Sequence, residues 1–423
     1  MTPLYRPFPP SRRPRLAALL EQSSARFAKE GGADLDHLVE LRTALTGRPA
    51  PQRALRTLAA GEPGLEERLA TRVIPSILRH ARTLIEQADP ALPLQVAGHA
   101  ARAVILRAEV AGWIAHMVLG TLPPPGPDHP DVDFEALLSA SWPAELAKLR
   151  CVLGYFDQVA DEAPAGRIEI ERLGLPPRGA TGWAEEAAPL TPLAVDASGA
   201  IEDAAGHRQV DFANAYLGGG VLTGGCVQEE IRFAVAPELL VGMILSPRMG
   251  PDEAIVLRGA PRFTRTRGYA ASLEYAGHWE DPADRAADGT PDIELVAIDA
   301  VDYRRFDAAE QLTEAAILRE LAKARCGFLR DARALPVATG NWGCGVFRGD
   351  PALKAVLQWL AASAEGRAVR YCPFGDRRVG DLEAFAVSAR ARFSTAGSLF
   401  RRLLEVVGGG AGPGLYARLL AAA

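Results

Sequence analysis

Gly218-Gly219-Gly220-Val221-Leu222-Thr223-Gly224-Gly225-Cys226-Val227-Gln228-Glu229-Glu230 sets an amide and two adjacent carboxylates directly behind a glycine-rich loop. Five glycines within eight residues let the backbone bend sharply and approach a ligand closely, because no Cβ intervenes. Successive N–H groups in such a loop form a concavity suited to a pyrophosphate. Two acids beside a held phosphate suit the cleavage of a glycosidic bond in a nucleotide-like substrate. A plainer reading stands beside this one. Gln-Glu-Glu followed by Ile231 and Phe233 is also an ordinary helix start, where acids complement the dipole.

A second glycine-rich loop, Gly340-Asn341-Trp342-Gly343-Cys344-Gly345-Val346-Phe347-Arg348-Gly349-Asp350, joins an expected strand to an expected helix. Backbone amides and a helix N-terminus would make it a phosphate site. It misses the dinucleotide fingerprint by one residue, and no Gly-Lys-Ser/Thr occurs, which argues against a Walker-type triphosphatase. A third glycine run, 408–414, reads as a loop before a C-terminal helical stretch.

Positioning these loops requires elements of two kinds. Residues 1–160 are rich in Ala, Leu and Arg, with apolar residues at helical spacing over 16–27, 35–45, 65–85, 96–118 and 144–159. They are expected to form an all-helical accessory domain, with the Pro-rich stretch 123–130 as a connector. The helix over 144–159 shows an apolar face of Leu146, Leu149, Leu153 and Phe156, and Lys148 and Arg150 flanking it are expected in solvent. The apolar segment 92–122 is interrupted by His99, Arg102, Arg107 and Glu109, so it reads as buried helix and not as a membrane span. From 161 to 423, short β-branched runs alternate with helical stretches, the pattern of a layered α/β domain. Strands are expected at 168–170, 209–213, 294–299, 335–339 and 368–371, and helices at 237–244, 312–324 and 351–362. Asp350 is the expected N-cap of the last helix.

Composition narrows the function classes. A net charge of −5 argues against a broad basic surface for nucleic acid. Of the forty-seven basic residues only Lys29, Lys148, Lys323 and Lys354 are lysine, which reads as coding bias. The five cysteines (Cys151, Cys226, Cys326, Cys344, Cys372) match neither a zinc motif nor a disulfide framework, so a reducing, intracellular setting is expected. Residues 1–15, rich in Pro and Arg, lack the apolar core of a signal peptide.

Preceded by Val210-Asp211-Phe212-Ala213-Asn214, the Gly-Gly-Gly, spacer, Gln-Glu-Glu order closely resembles the signature of the larger, eukaryotic-type poly(ADP-ribose) glycohydrolases. Gly268-Tyr269-Ala270, Ala338-Thr339-Gly340-Asn341-Trp342-Gly343-Cys344-Gly345 and Phe374-Gly375-Asp376 resemble further family motifs, in the family's order. The resemblance implies a macrodomain-like three-layer α/β/α catalytic domain over 161–423, behind the helical accessory domain. It implies hydrolysis of the ribose–ribose bond of poly(ADP-ribose) without metal or cofactor. Glu230 matches the catalytic acid, Glu229 its ribose-binding neighbour, and Asp211 and Asn214 further site residues. Repulsion from Glu229 is expected to keep the proton on Glu230. Tyr269 and Phe374 match the aromatic residues around the adenine, Glu202 an adenine-contacting acid, and Phe347 a residue beside ribose and diphosphate. Gly218, Gly219, Gly220, Gln228, Asn341, Gly343 and Gly345 complete the expected binding set. The implied partners are poly(ADP-ribose) and ADP-ribosylated proteins, with neither nucleic acid nor membrane, in the cytoplasm, or in the nucleus of a eukaryote. A hydrolase of protein-linked ADP-ribose or O-acetyl-ADP-ribose stays open on the same motifs. So does a non-catalytic ADP-ribose reader, although a reader has no need of adjacent acids.

Overall fold

The computed structural model describes residues 2–29, 35–49, 51–408 and 414–421, so residues 409–413 of the third glycine run lie outside it. Among the described residues eight strands form the main sheet. In chain order they are β1 Ala101–Leu106, β2 Arg167–Gly174, β3 Leu193–Val195, β4 Arg208–Ala213, β5 Glu253–Arg258, β6 Glu294–Asp299, β7 Val337–Gly340 and β8 Val369–Cys372. Across the sheet they run β1-β2-β5-β6-β4-β7-β8-β3. From β6 onward neighbours are parallel. β1, β2 and β5 join antiparallel. The helices that bear on the site are α1 Arg107–Val118, α2 Pro143–Gln158, α3 Gln228–Val235, α4 Glu314–Gly327 and α5 Pro351–Ala364.

Side-chain alternation sorts the sheet's two faces. β6 is buried at all six positions, as a strand covered on both sides must be. On β5, Ile255 and Leu257 join the core beneath the N-terminal helices, with Trp113, Leu149 and Phe156. Val256 points the other way, into a core with Ile317 and Leu321 of α4 and Trp359 of α5. Helices thus cover both faces, giving three layers. Asp350 caps α5 as expected, its side chain accepting from Leu353 N–H at 2.8 Å.

Two expectations are corrected. The helix read over 96–118, within the buried helix read over 92–122, is a strand followed by a helix: residues 101–106 form β1, paired with β2, before α1 begins at Arg107. The region expected to be all helical therefore supplies an edge strand to the sheet. β5 was not expected, because a short apolar run such as Ala-Ile-Val-Leu has no periodicity that separates strand from buried helix. One apolar core also runs unbroken from Tyr5 through Val159 to Ile168 and Leu295. Among the described residues no helix is long and apolar enough to cross a membrane.

Candidate functional site

The parallel register puts Asp299 beside Ala213 and Gly340 beside Cys372, so the carboxyl ends of β6, β4, β7 and β8 line one edge of the sheet. Ligands of open α/β sheets bind outside that edge. Asp211 lies on β4, Asn214 directly follows it, Asn341 follows β7, and Phe374 stands two residues beyond β8. The glycine loop leaves β4 and leads into α3, whose first three residues are Gln228, Glu229 and Glu230.

The loop wraps the two carboxylates. Glu229 accepts from Gly218 N–H at 2.7 Å and from Asn214 N–H at 2.8 Å. Glu230 accepts from Gly220 N–H at 3.0 Å and, reaching back over the helix start, from Val227 N–H at 2.8 Å. Gly219 N–H donates to Tyr216 C=O at 3.0 Å. The three leading amides therefore hold the acids and close a turn, where an open pyrophosphate concavity was expected. Only glycine fits at the centre: Gly219 has φ +50°, and a Cβ there would stand 2.6 Å from an oxygen of each carboxylate.

Asp211 completes a cluster of three acids. It is fully buried, and neither of its oxygens has a hydrogen-bond partner among the described residues. Burial, then the charge of Glu230, pushes its carboxyl up to about 8, against the pull of Arg232. Glu229 is driven well above its ordinary range, first by burial and then by Asp211 and Glu230, although the Asn214 and Gly218 amides oppose this. Asp211 and Glu229 are thus the members of the cluster pushed toward the protonated form. Such a cluster can donate and accept protons near neutral pH.

The aromatic pair stands at the surface. Tyr269 lies in the turn of the two-stranded ribbon formed by Thr264–Arg267 and Glu274–His278. Its hydroxyl lies near enough to the Gln228 backbone and to Glu230 to feel both, which places it beside the acids. Phe374 is 74% exposed, and the two ring centroids are 5.2 Å apart at 50°. Water-exposed rings this close have no core to fill, so they suit a flat ligand. Asn341 ties the second loop to this corner: its Nδ2 donates to Pro373 C=O, and its Oδ1 accepts from Tyr371 O–H, each at 2.8 Å.

The remaining expected residues divide. Glu202 sits in a short turn at 201–203, near enough to act on Arg232 and Cys372 by charge. Phe347 is half-buried, with the Arg304 guanidinium 5.6 Å from its ring centroid. Gly343 has φ +72°, and a Cβ there would stand 2.5 Å from Ala300 Cβ, whereas a Cβ at Gly345 would meet nothing within 4 Å. Gln228 is stitched to β4 at both ends of its amide, accepting from Phe212 N–H at 2.8 Å and donating to Val210 C=O at 3.2 Å. That is a structural tie, and it leaves little of the amide for a ligand.

Lys148 and Arg150 correct the reading most. Both are buried, not solvated. Arg150 pairs with Glu62 at 2.8 Å and lies over the Tyr275 ring. Lys148 donates to the carbonyls of Gly220, Thr223 and Gly225. Arg232, also missed, is buried beneath the acids. One of its nitrogens reaches Gln209 at 3.1 Å, and its Nε and Nη1 have no partner among the described residues. The rarity of lysine was the one available signal for Lys148. For Arg232 there was only its place two residues after the acids.

Two models of one family match the chain. The poly(ADP-ribose) glycohydrolase helical domain matches residues 63–172, and the glycohydrolase domain of macro domain fold matches residues 180–381. Poly(ADP-ribose) glycohydrolase 1 of Arabidopsis thaliana is 31% identical over 351 residues, covering 65% of this chain and 64% of that protein. Its probable poly(ADP-ribose) glycohydrolase 2 is 33% identical over 310 residues, covering 61% and 59%. Poly(ADP-ribose) glycohydrolase 1 of Caenorhabditis elegans is 34% identical over 322 residues, covering 72% and 40%. The alignments thus span between 40% and 64% of the length of these three relatives. With the acids, loops and aromatic pair assembled at one sheet edge, and with both halves matched in order, this chain belongs to the poly(ADP-ribose) glycohydrolase family.

Proposed function

We propose that the chain hydrolyses the ribose–ribose O-glycosidic bond of poly(ADP-ribose) and releases ADP-ribose. The observation that carries this reading is the pair Glu229 and Glu230, held by amides of one loop on either side of Gly219, with Tyr269 beside them. Tyr269 and Phe374 would sandwich the adenine, and the second glycine loop would take the diphosphate. That leaves the anomeric carbon at the acids. Cleavage passes through an oxocarbenium-like transition state. Glu230 would protonate the departing ribose oxygen and then accept a proton from the attacking water. Glu229 would hold the ribose hydroxyls, and the acid cluster would favour the developing positive charge. A reducing intracellular setting fits the five free cysteines.

The test is incubation with purified poly(ADP-ribose), products resolved by size, alongside Glu230→Gln and Glu229→Gln. General acid–base catalysis contributes about 10²–10⁴-fold, so Glu230→Gln should lose at least that order of turnover while still binding ADP-ribose. Glu229→Gln should lose both turnover and affinity. Near wild-type turnover in Glu230→Gln moves the acid elsewhere, Asp211 first. A wild-type protein that binds ADP-ribose but cleaves no polymer is a reader. Release of ADP-ribose only from modified protein identifies the protein-linked substrate instead.

A further inference from the structure

We propose that Lys148, on helix α2 of the helical region, is the positioning residue that holds the glycine loop in the shape that seats Glu230. This rests on the role assigned to Glu230 above. Lys148 is fully buried. Its ammonium donates to Gly220 C=O at 3.1 Å, to Thr223 C=O at 2.7 Å and to Gly225 C=O. One of those residues bonds the acid directly, and another leaves the space the acid occupies. Gly220 gives its N–H to Glu230 Oε1, and a Cβ on Gly225 would lie 2.7 Å from the same oxygen. The carbonyl side of the loop is thus fixed by α2 while its amide side is fixed by the acid.

The residue type fits the task. An ammonium has three donors on one atom, free to rotate onto three converging carbonyls. A guanidinium spreads its donors over a rigid plane and cannot bring three of them to one point. In a chain with forty-seven basic residues and only four lysines, Lys148, Lys323 and Lys354 are all buried. Lys323 likewise donates to two carbonyls, of Gly250 and Glu253. Lys323 also pairs with Asp299 at 2.6 Å and Lys354 pairs with Glu320, so three of the four lysines are buried on oxygen acceptors, which coding bias alone does not explain. Burial pulls the Lys148 ammonium below its ordinary range, and Cys226, Glu230 and Glu145 pull it back up. The same helix packs Ala144 and Ala147 against Leu273, Cys226 and Ile231, so α2 also supports the ribbon that carries Tyr269.

The experiment compares Lys148→Met, one atom shorter and without donors, with Lys148→Arg in the full chain. It reads kcat and KM on poly(ADP-ribose), ADP-ribose affinity by calorimetry, thermal melting, and hydrogen exchange of the Gly220 and Val227 amides. A small misplacement of a reacting group costs up to about 10²-fold, so Lys148→Met should lower kcat by about that factor. KM and Kd should stay within about twofold, the mark of an interaction that acts only in the transition state. The two loop amides should lose protection while the strands keep theirs. Lys148→Arg retains the charge and some of the bonds and should recover part of kcat. Unchanged kcat in Lys148→Met overturns the proposal, and so does a loss that merely tracks unfolding or lost affinity. If Lys148→Met fails to melt cooperatively, Lys148→Arg decides alone. Lowered kcat at constant KM then sustains the proposal, and wild-type kcat or no folded protein overturns it. If the wild-type protein cleaves no polymer, the assigned function fails, and amide exchange still reads whether Lys148 tethers the loop.

Discussion

Asp211 keeps a carboxyl fully buried with neither oxygen bonded among the described residues, an arrangement that opposes folding wherever the group is ionised. Its ordinary value is 3.8, and in the fold it is pushed up to about 8. Between those values the folded state binds more protons than the unfolded one, so stability falls as pH rises from about 4 to about 8 and is level beyond. Asp211→Asn removes this dependence. The variant should be more stable than wild type at pH 8, because its neutral amide has no charge to desolvate. The gain should vanish near pH 4, and paired melting curves across that range check both statements. A larger gain at pH 4 than at pH 8 would refute the sign. Turnover should fall in the same variant, because strain of this kind persists at sites that use it. At this scale the acids were legible, because adjacent carboxylates behind a glycine run are rare enough to stand out. Lys148 was not legible, because a lysine flanking an apolar helical face reads as solvated until the loop across from it is known.

The glycine loops separate into positions that need glycine and positions that only contain it. Gly219, at φ +50°, faces both carboxylates, so Gly219→Ala must push Glu229 and Glu230 from their seats. A displacement of about 1 Å is enough to cost about 10²-fold in turnover. Gly345 has open space where a Cβ would go, and Gly345→Ala should turn over polymer at close to the wild-type rate. Steady-state rates for the two variants check the contrast, and equal losses would show that the loops act as one unit. Phe374 gives a second contrast, since it is a non-glycine residue at φ +51° with an exposed ring. Phe374→Gly relieves the backbone and removes the stacking surface. The melting temperature should hold or rise, while ADP-ribose affinity falls by roughly 5- to 150-fold, the worth of one base–aromatic stack. Calorimetry showing unchanged affinity would take Phe374 out of the site. Elements with long periodic patterns, α2 and α5 among them, could be read ahead of the fold. β1 could not. The burial of Ala-Arg-Ala-Val-Ile-Leu alternates as a strand's should, but its sequence is apolar save for Arg102 and runs directly into the helical spacing of α1, so the longer period absorbed it.

At the scale of the molecule, the helical region and the sheet share one core, a feature the change of pattern near residue 161 concealed. Composition reports which elements a segment forms, not which neighbour buries them. Here β1 closes the sheet edge, and Arg107 at the start of α1 makes a buried ion pair at 2.7 Å with Glu238, beyond the glycine loop in sequence. Lys148 reaches the loop itself. A fragment beginning at Arg167 would lose all three. It would expose Ile168, Ile170, Ile255, Leu257 and Leu295, whose faces the helices cover. Each such side chain is worth about 1.5–3 kcal/mol when buried. Five of them together already match the roughly 5–15 kcal/mol by which a whole domain is stable. Leaving Glu238 buried without Arg107 adds about 3–5 kcal/mol to the loss. The fragment should therefore be insoluble or melt without cooperativity. Supplying residues 2–166 as a separate chain during refolding should restore soluble protein only as a complex of the two pieces. Expression of the fragment alone, calorimetric melting and an ADP-ribose titration form the test. A soluble fragment that melts cooperatively and cleaves polymer at the full rate would mean that the shared core is dispensable and that Lys148 does not position the loop.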